Sequence, residues 1–410
     1  MKRRALEGIR VVDLSHVLAA PTCTLFLADL GAEVIHVEPP HGDDAREFGP
    51  YLGEYDKNRS GYFISLNRNK KSLVLDLKQA AGRGILHRLI ELSDVLVENF
   101  RPTTMKKLGF GWDELQKINP RLIYASISGF GQNTLPGYDE RPAYDMVAQA
   151  YSGLMSITGP EGGPPCRVGS SVGDIIAGHQ AVIGILSALI HRDKTGRGQH
   201  YDGAMVDGLF AVLENAVVRY TITGEIPGPL GSVHPSITPF QGFQTRDSWI
   251  IIPIGNDGLW RTFCRVIGRG DLLEDLRFET NLKRTMHRGE LEAILAEVLK
   301  TRTTAAWGAL FDEAGLPWSP INNMKEISED PHIHHRNMLV QVHQPGVGPV
   351  RIAGSPIHLS ETPGEVYAPA PALGEHSEEI LRDLLGFSVE KIEELIRGRV
   401  IGSPRDPGKR

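Results

Sequence analysis

Ile9-Arg10-Val11-Val12-Asp13-Leu14 is a short run rich in β-branched residues, Pro21 to Leu30 has a helical pattern, and Ala32-Glu33-Val34-Ile35-His36-Val37 is apolar and β-branched again, with Gly31 separating helix from strand. Together they read as a βαβ unit. The same alternation returns downstream. Ser72 to Leu77 reads as a strand, Gln79 to Leu92 as a helix with Ile85, Leu86, Leu89 and Ile90 on one face, and Asp94 to Glu98 as the next strand. Met105 to Ile118 then predicts a helix and Arg121 to Ser128 a strand. Parallel neighbours need a crossover connection, so this order implies an α/β fold with a mostly parallel sheet covered by helices.

Between these units, Pro39 to Arg59 and Phe130 to Pro142 are long turn-rich loops of the kind that are either functional or disordered. Beyond them, Arg167 to Val172 looks β-like, Ile175 to Arg192 predicts a long helix, and Met205 to Tyr220 predicts another. Gly224 to Pro239 holds four Pro and three Gly and marks a domain crossing. Trp249 to Ile254 reads as a strand, followed by helices to about Ala314, which suggests a smaller second domain. Near the end come Val347 to Ile352, the proline-rich Pro363 to Pro371, an amphipathic pattern over Glu378 to Ile396, and a frayed Ser403 to Arg410. The expected division is 1–223, then 224–325, then 326–410.

With 410 residues, 41% of them hydrophobic, the chain can bury a large core without disulfides or metal. A net charge of −6 offers no general field for nucleic acid or an anionic membrane. Cys23, Cys166 and Cys264 lack CxxC spacing and suggest unpaired thiols in a reducing compartment, the cytoplasm. Glu7 and Arg10 interrupt any signal peptide, and Ala181 to Ile190 is about half a membrane span, so it reads as a buried helix. His332, His334 and His335 lack the HExxH arrangement and read as a solvated loop, and Gly129-Phe130-Gly131-Gln132 does not complete a dinucleotide fingerprint. No metal, nucleic acid or membrane partner is expected.

Two places carry chemistry. Asn99-Phe100-Arg101-Pro102 follows a strand at the end where open α/β sheets bind ligands. Lys106 and Lys107 behind it, with Arg68, Lys70 and Lys71 from the preceding loop, are either cations for a phosphate-rich ligand or ordinary surface charge. Gly173-Asp174 stands at a helix start, where the dipole and free N–H groups favour an ionised carboxylate fit for nucleophilic attack. The same aspartate suits a plain N-cap worth about 1 kcal/mol.

The ordered set Leu6 to Leu14, Ala28 to Ile35, Asn67 to Ser72, Val97 to Pro102, Ser128 to Gln132, Gly173-Asp174, Thr195 to Gln199 and Pro320 to Met324 resembles the class III CoA-transferases, the formyl-CoA transferase and carnitine-CoA-transferase family. The resemblance implies a Rossmann-like large domain built from both chain ends, a smaller α+β domain, and an interlocked homodimer. It makes Asp174 the nucleophile. It places CoA contacts at Val17, Asn99, Phe100, Arg101, Lys107 and Leu108, with Arg46, Arg68, Lys70 and Lys71 also expected to contribute. Gly173, Tyr144, Asp145 and His234 are the expected substrate-binding residues. CoA then arrives as an acyl-CoA substrate and leaves as product, with no permanently bound cofactor.

Two positions narrow the implied activity. The racemase branch has a histidine base where this chain has Tyr144, and a tyrosine hydroxyl is a poor base for an α-proton. The formyl-CoA:oxalate branch has a glycine-rich loop and a glutamine, where this chain has Gly231 to Ile237 and Leu18. His234-Pro235-Ser236-Ile237 and Pro320-Ile321-Asn322-Asn323 look like the branch acting on succinyl-CoA and dicarboxylates. The expected reaction is CoA transfer from succinyl-CoA to a dicarboxylic acid through an aspartyl anhydride and an aspartyl-CoA thioester. Its alternatives are a formyl-CoA:oxalate-type transferase, a 2-methylacyl-CoA racemase and a non-catalytic CoA-binding protein.

Overall fold

The computed structural model describes residues 4–402. It divides into two compact units, one of Met1–Leu154, Arg167–Val218 and Pro331–Arg410, the other of Met155–Cys166 and Arg219–Asp330. The sequence reading placed the crossings at 223/224 and 325/326; they fall at 218/219 and 330/331, and the segment Met155–Cys166 joins the second unit as well. The expected frayed tail from Ser403 lies outside the described residues.

In the first unit the order is β1 (Arg10–Asp13), α1 (Ala19–Asp29), β2 (Glu33–Glu38), α2 (Gly61–Asn67), β3 (Lys71–Val74), α3 (Ala80–Glu91), β4 (Val95–Glu98), α4 (Thr104–Leu108), α5 (Trp112–Ile118) and β5 (Ile123–Ser128). Then follow α6 (Asp145–Tyr151), α8 (Val172–Thr195), β6 (His200–Ala204) and α9 (Met205–Ala211); between α6 and α8 lies α7 (Leu154–Ile157), which from Met155 onward belongs to the second unit. The six strands are parallel in the order β3-β2-β1-β4-β5-β6, the doubly wound arrangement with a reversal of direction between β1 and β4.

Register explains why these strands read as continuous apolar runs. Val34, Val11, Val95 and Ile123 form one rung across the sheet, while Ile35, Val12, Leu96 and Tyr124 form the next. Successive rungs face opposite ways, and both faces are buried. The first set packs with Ala20, Leu27, Ala181 and Ile185 of α1 and α8. The second packs with Leu86 and Leu89 of α3, and with Ile380, Leu381, Ile392 and Leu395 from the far end of the chain.

Several elements differ from the sequence reading. The helix expected over Met105 to Ile118 is two helices, because Gly109 ends α4 in the left-handed region at φ +87 and Phe110 turns inward. The helix expected over Met205 to Tyr220 is likewise two, broken at Val212 and Leu213. Residues 167–171 form no strand; the Val168 amide donates to the Gln149 side chain at 2.9 Å instead of to a strand neighbour. The amphipathic stretch near the end breaks at Gly386, φ +67, before a helix over Val389–Arg397. His332, His334 and His335 sit on a short helix, Pro331–His335, and not on a loop.

The apolar run read as a ten-residue buried segment belongs to α8, whose 24 residues are long and apolar enough to cross a membrane by length and composition. Here α8 lies against the sheet, burying Ala177, Ala181, Ile185 and Ala188.

The second unit has a three-stranded antiparallel sheet, Phe240–Gln244, Trp249–Pro253 and Ser319–Pro320, packed with helices around Trp260, Phe263, Leu291, Leu295 and Phe311. Its Arg284 is fully buried and donates to the carbonyls of Thr238 and Phe278 and to Asp257.

Candidate active site

The carboxyl ends of β1, β4 and β5 leave an open cleft of about 260 Å³ at the reversal point of the sheet. Residues 16–19 line it from the β1–α1 turn, residues 99–102 from the end of β4, residues 127–131 from the end of β5, and Asp174 from the first turn of α8. Crossovers on opposite sides of the sheet diverge at this point, which opens a crevice that side chains do not fill.

The β1–α1 turn is held in a rare conformation. Val17 sits at φ +65, unusual for a β-branched residue, and strain of this kind persists only when neighbours fix it. The Val17 N–H donates to Asp43 at 3.1 Å, while the Asn99 side chain both accepts the His16 N–H and donates to the His16 carbonyl, each at 2.8 Å. Asp43 is itself held by His36, 3.5 Å away, whose other ring nitrogen lies 3.3 Å from Asp13. Burial works against a charged imidazole there, but the carboxylates of Asp13 and Asp43 outweigh it and lift His36 to about 9. Just past the turn, α1 has no acid in its first turn, so its amino end presents partial positive charge to the cleft.

Asp174 is the third residue of α8, and Ser171 occupies the N-cap position. It therefore does not cap the helix as one of its sequence readings supposed. Among the described residues nothing hydrogen-bonds its carboxylate. Burial, and secondarily the Asp145 carboxylate, push it up to about 7, opposite to the ionised form expected from the helix dipole. The N–H groups on either side of Asp174 are also taken: Gly173 donates to Asp145 at 2.8 Å and Ile175 to the Ser171 carbonyl at 3.1 Å. Gly178, four residues on and on the same helix face, is where α8 meets α1. A Cβ there would stand 2.7 Å from the Ala19 carbonyl oxygen and 2.8 Å from Thr22 Cβ. That close approach brings the Asp174 face of α8 to the amino end of α1.

A polarised carboxyl in a crevice with a helix amino end suits covalent group transfer at an acyl centre. The family described as "CoA-transferase family III" matches residues 6–377. The chain belongs to CoA-transferase family III. It is similar to succinyl-CoA:glutarate CoA-transferase of Homo sapiens, with 37% identity over 400 residues, covering 97% of this chain and 90% of that protein. It is also similar to acetyl-CoA:oxalate CoA-transferase of Acetobacter aceti, with 43% identity over 357 residues, covering 86% and 89% of the two chains. Among solved structures, a CAIB/BAIF family protein from Brucella suis superposes with a TM-score of 0.82 at 37% identity, covering 93% of this chain and 100% of that one.

For this family III chain, the cleft gathers part of the expected residue set. Val17, Asn99, Phe100, Arg101, Tyr144 and Asp174 line it. Gly173 and Asp145 sit behind Asp174, joined by their hydrogen bond, with Asp145 also accepting from Gln149 at 2.7 Å. Apart from Arg101, the expected basic contacts go elsewhere. Arg46 is fully buried and grips Glu38 with two donors at 2.7 and 2.8 Å, its guanidinium over the Phe63 ring. Arg68 grips Asp29 in the same way, and the Lys70 ammonium lies 3.1 Å from Asp13 and 2.8 Å from the Thr24 hydroxyl. A buried cation needs an internal partner, and these three have one, so they hold the scaffold together and do not present charge to a phosphate.

Lys71, the first residue of β3, bridges Glu33 and Glu379. Lys107 is exposed on α4, off the cleft lining, and Leu108 packs against the core. His234 lies in the second unit, tilted against Phe240, with Nδ1 accepting the Ser236 N–H at 3.1 Å.

The structure adds residues that the sequence reading did not pick. His16 faces the Phe100 ring at 5.2 Å, and Arg141 lines the cleft beside Tyr138. Burial, then the charges of Asp174, Asp43 and Asp145, raise Tyr62 to about 12, so its hydroxyl stays protonated. The glycine at 129 was a usable signal: a Cβ there would stand 2.3 Å from Ala143 Cβ, so the strand end and the loop before α6 touch only because it is glycine.

Proposed function

We propose that the chain moves CoA from an acyl-CoA, with succinyl-CoA as donor, to a dicarboxylic acid. The observation that carries this reading is Asp174: a desolvated carboxylate without hydrogen-bond donors, facing a cleft at the ligand end of the sheet. Desolvation strips a carboxylate of the water that blunts its nucleophilicity. The named acceptors of the two relatives above, glutarate and oxalate, are both diacids, and one named donor is succinyl-CoA.

The steps balance as four acyl transfers. The Asp174 carboxylate attacks the thioester carbonyl, forming a mixed anhydride and releasing CoA thiolate. The thiolate attacks the aspartyl carbonyl, giving an aspartyl-CoA thioester and the free donor acid. The acceptor carboxylate attacks that thioester, forming a second anhydride and again CoA thiolate. The thiolate then attacks the acceptor carbonyl, yielding the new acyl-CoA and regenerating Asp174. CoA contacts are assigned to Val17, Asn99, Phe100 and Arg101, and the Tyr144 hydroxyl is free to meet a substrate carboxylate, its side chain being 77% exposed.

A homodimer belongs to the same proposal. Met146, Val147, Ile183, Ile190 and Phe210 on α6, α8 and α9 are exposed apolar side chains that a second copy would cover. Light scattering should find a dimer at micromolar concentration; an active monomer overturns that part. The three unpaired cysteines fit a cytoplasmic setting.

The test of the reaction is a matrix of donors (succinyl-CoA, acetyl-CoA) against C2–C6 diacids, followed by chromatography of the thioesters. New acyl-CoA equal to donor consumed is expected, with Asp174 modified when hydroxylamine is added during turnover. Absence of transfer from every donor to every acid, with the protein folded, sinks the reading.

A further inference from the structure

Arg141 lies in the loop before α6 and lines the same cleft as Asp174. Its guanidinium stands 5.0 Å from the ring centre of Phe130, 4.9 Å from Tyr151 and 5.9 Å from Tyr138. The three rings support one another edge to face, and the Tyr151 hydroxyl donates to that of Tyr138 at 3.0 Å. Among the described residues no carboxylate pairs with Arg141. The contrast with Arg46, Arg68 and Lys70, each clamped to an acid, is chemical. Those cations are consumed by the fold, whereas Arg141 is positioned by ring faces that leave its in-plane N–H donors unused.

The loop is tied to the nucleophile. Ala143 is packed on Gly129, which puts Phe130 beside Arg141, and Asp145 accepts the N–H of Gly173 next to Asp174. Arg101 also lines the cleft, but its loop has no such link to α8 and lies on the Asn99 side assigned to CoA. A planar guanidinium with a free edge is matched to a carboxylate by two parallel hydrogen bonds. We infer that Arg141 receives the far carboxylate of the diacid while the near carboxylate reacts at Asp174, and so selects diacids over monoacids. This rests on the CoA-transfer reading above and names the group that sets acceptor class.

The test is a one-pot competition. Wild type, Arg141→Met and Arg141→Lys are each given succinyl-CoA and an equimolar pair of acids of equal length, glutarate with pentanoate and adipate with hexanoate. The ratio of the two product thioesters is read by mass spectrometry. A common donor step cancels in that ratio, so it reports acceptor choice alone. Wild type is expected to favour the diacid by about 100-fold, the value of a charged bidentate contact. Arg141→Met should bring the ratio to within a few-fold of one by losing the diacid product, and Arg141→Lys should fall between. An unchanged ratio in Arg141→Met, or a wild type that transfers CoA without preferring diacids, overturns the inference alone. A folded wild type that makes neither thioester in either pair, and none in the donor and acid matrix above, overturns the CoA-transfer reading instead.

Discussion

In the proposed reaction Asp174 meets two demands that pull against each other. It must be ionised to attack, yet burial and the Asp145 carboxylate raise it to about 7. The rate of donor cleavage is therefore expected to climb with pH and reach half its plateau near 7, measured as CoA thiol release in the presence of hydroxylamine; a flat profile from 5.5 to 8.5 contradicts the assignment. The same shift bears on stability. A carboxyl with a raised folded pKa binds more protons folded than unfolded, so stability falls as pH rises from about 4 through about 7. Asp174→Asn removes that loss. It should abolish transfer yet melt a few degrees above wild type at pH 8, reflecting about 1–2 kcal/mol after discounting for solvent, with the gap closing near pH 4. Calorimetry at the two pH values checks both signs. In the sequence Asp174 was visible as a carboxylate at a helix start, but its environment was not, because Asp145 comes from another helix.

At the scale of elements, α1 and its preceding turn are the most constrained part of the cleft. Gly178→Val should push α8 off the Ala19 carbonyl and Thr22, lowering stability by about 1–3 kcal/mol and transfer by much more, since both cleft walls move. A variant with unchanged melting temperature and activity would show that the two helices do not need that approach. The β1–α1 turn responds to pH with the same sign as Asp174 but in a higher window. His36 is raised to about 9, so its contribution is complete below about 6.5 and is lost as pH rises through about 9. Wild type should lose melting temperature between pH 7 and 10, while His36→Gln should start lower and stay flatter, the difference at pH 7 being of the order of 2 kcal/mol.

The alternation of strands and helices was legible because apolar periodicity is local. Which cations were free was not. Arg68 meets Asp29 and Lys70 meets Asp13 only after β1, α1 and β3 have been brought side by side, so a basic run that looks like a phosphate cradle in sequence is interior mortar in space. Arg141 was missed for the same reason in reverse: its aromatic neighbours come from the end of β5, the loop and α6, with no period to announce them.

For the whole molecule, the two chain ends share one core. Ile380, Leu381, Leu385, Ile392, Leu395, Val400 and Ile401 are all buried with β-sheet residues such as Val12, Ile35 and Leu96. Each such side chain contributes about 1.5–3 kcal/mol, and their sum rivals the entire stability of an ordinary domain. Truncation before Ser377 is therefore expected to leave the first unit unfolded or aggregated, although the six strands and the cleft residues are all upstream. A truncated chain that shows the wild-type hydrogen-exchange protection of β1 and β4 would refute this.

That arrangement has a cost in time. The sheet is complete in the nascent chain once Ala204 has been made, but the cover for one of its faces is not, since Ile380 to Ile401 come roughly 200 residues later. At about 5–20 residues per second of synthesis, that face waits roughly 10–40 s for its cover. During that interval the growing chain carries an adhesive surface on the ribosome, so its yield in a cell is expected to respond to holding chaperones and to the pace of translation as well as to the stability of the finished fold.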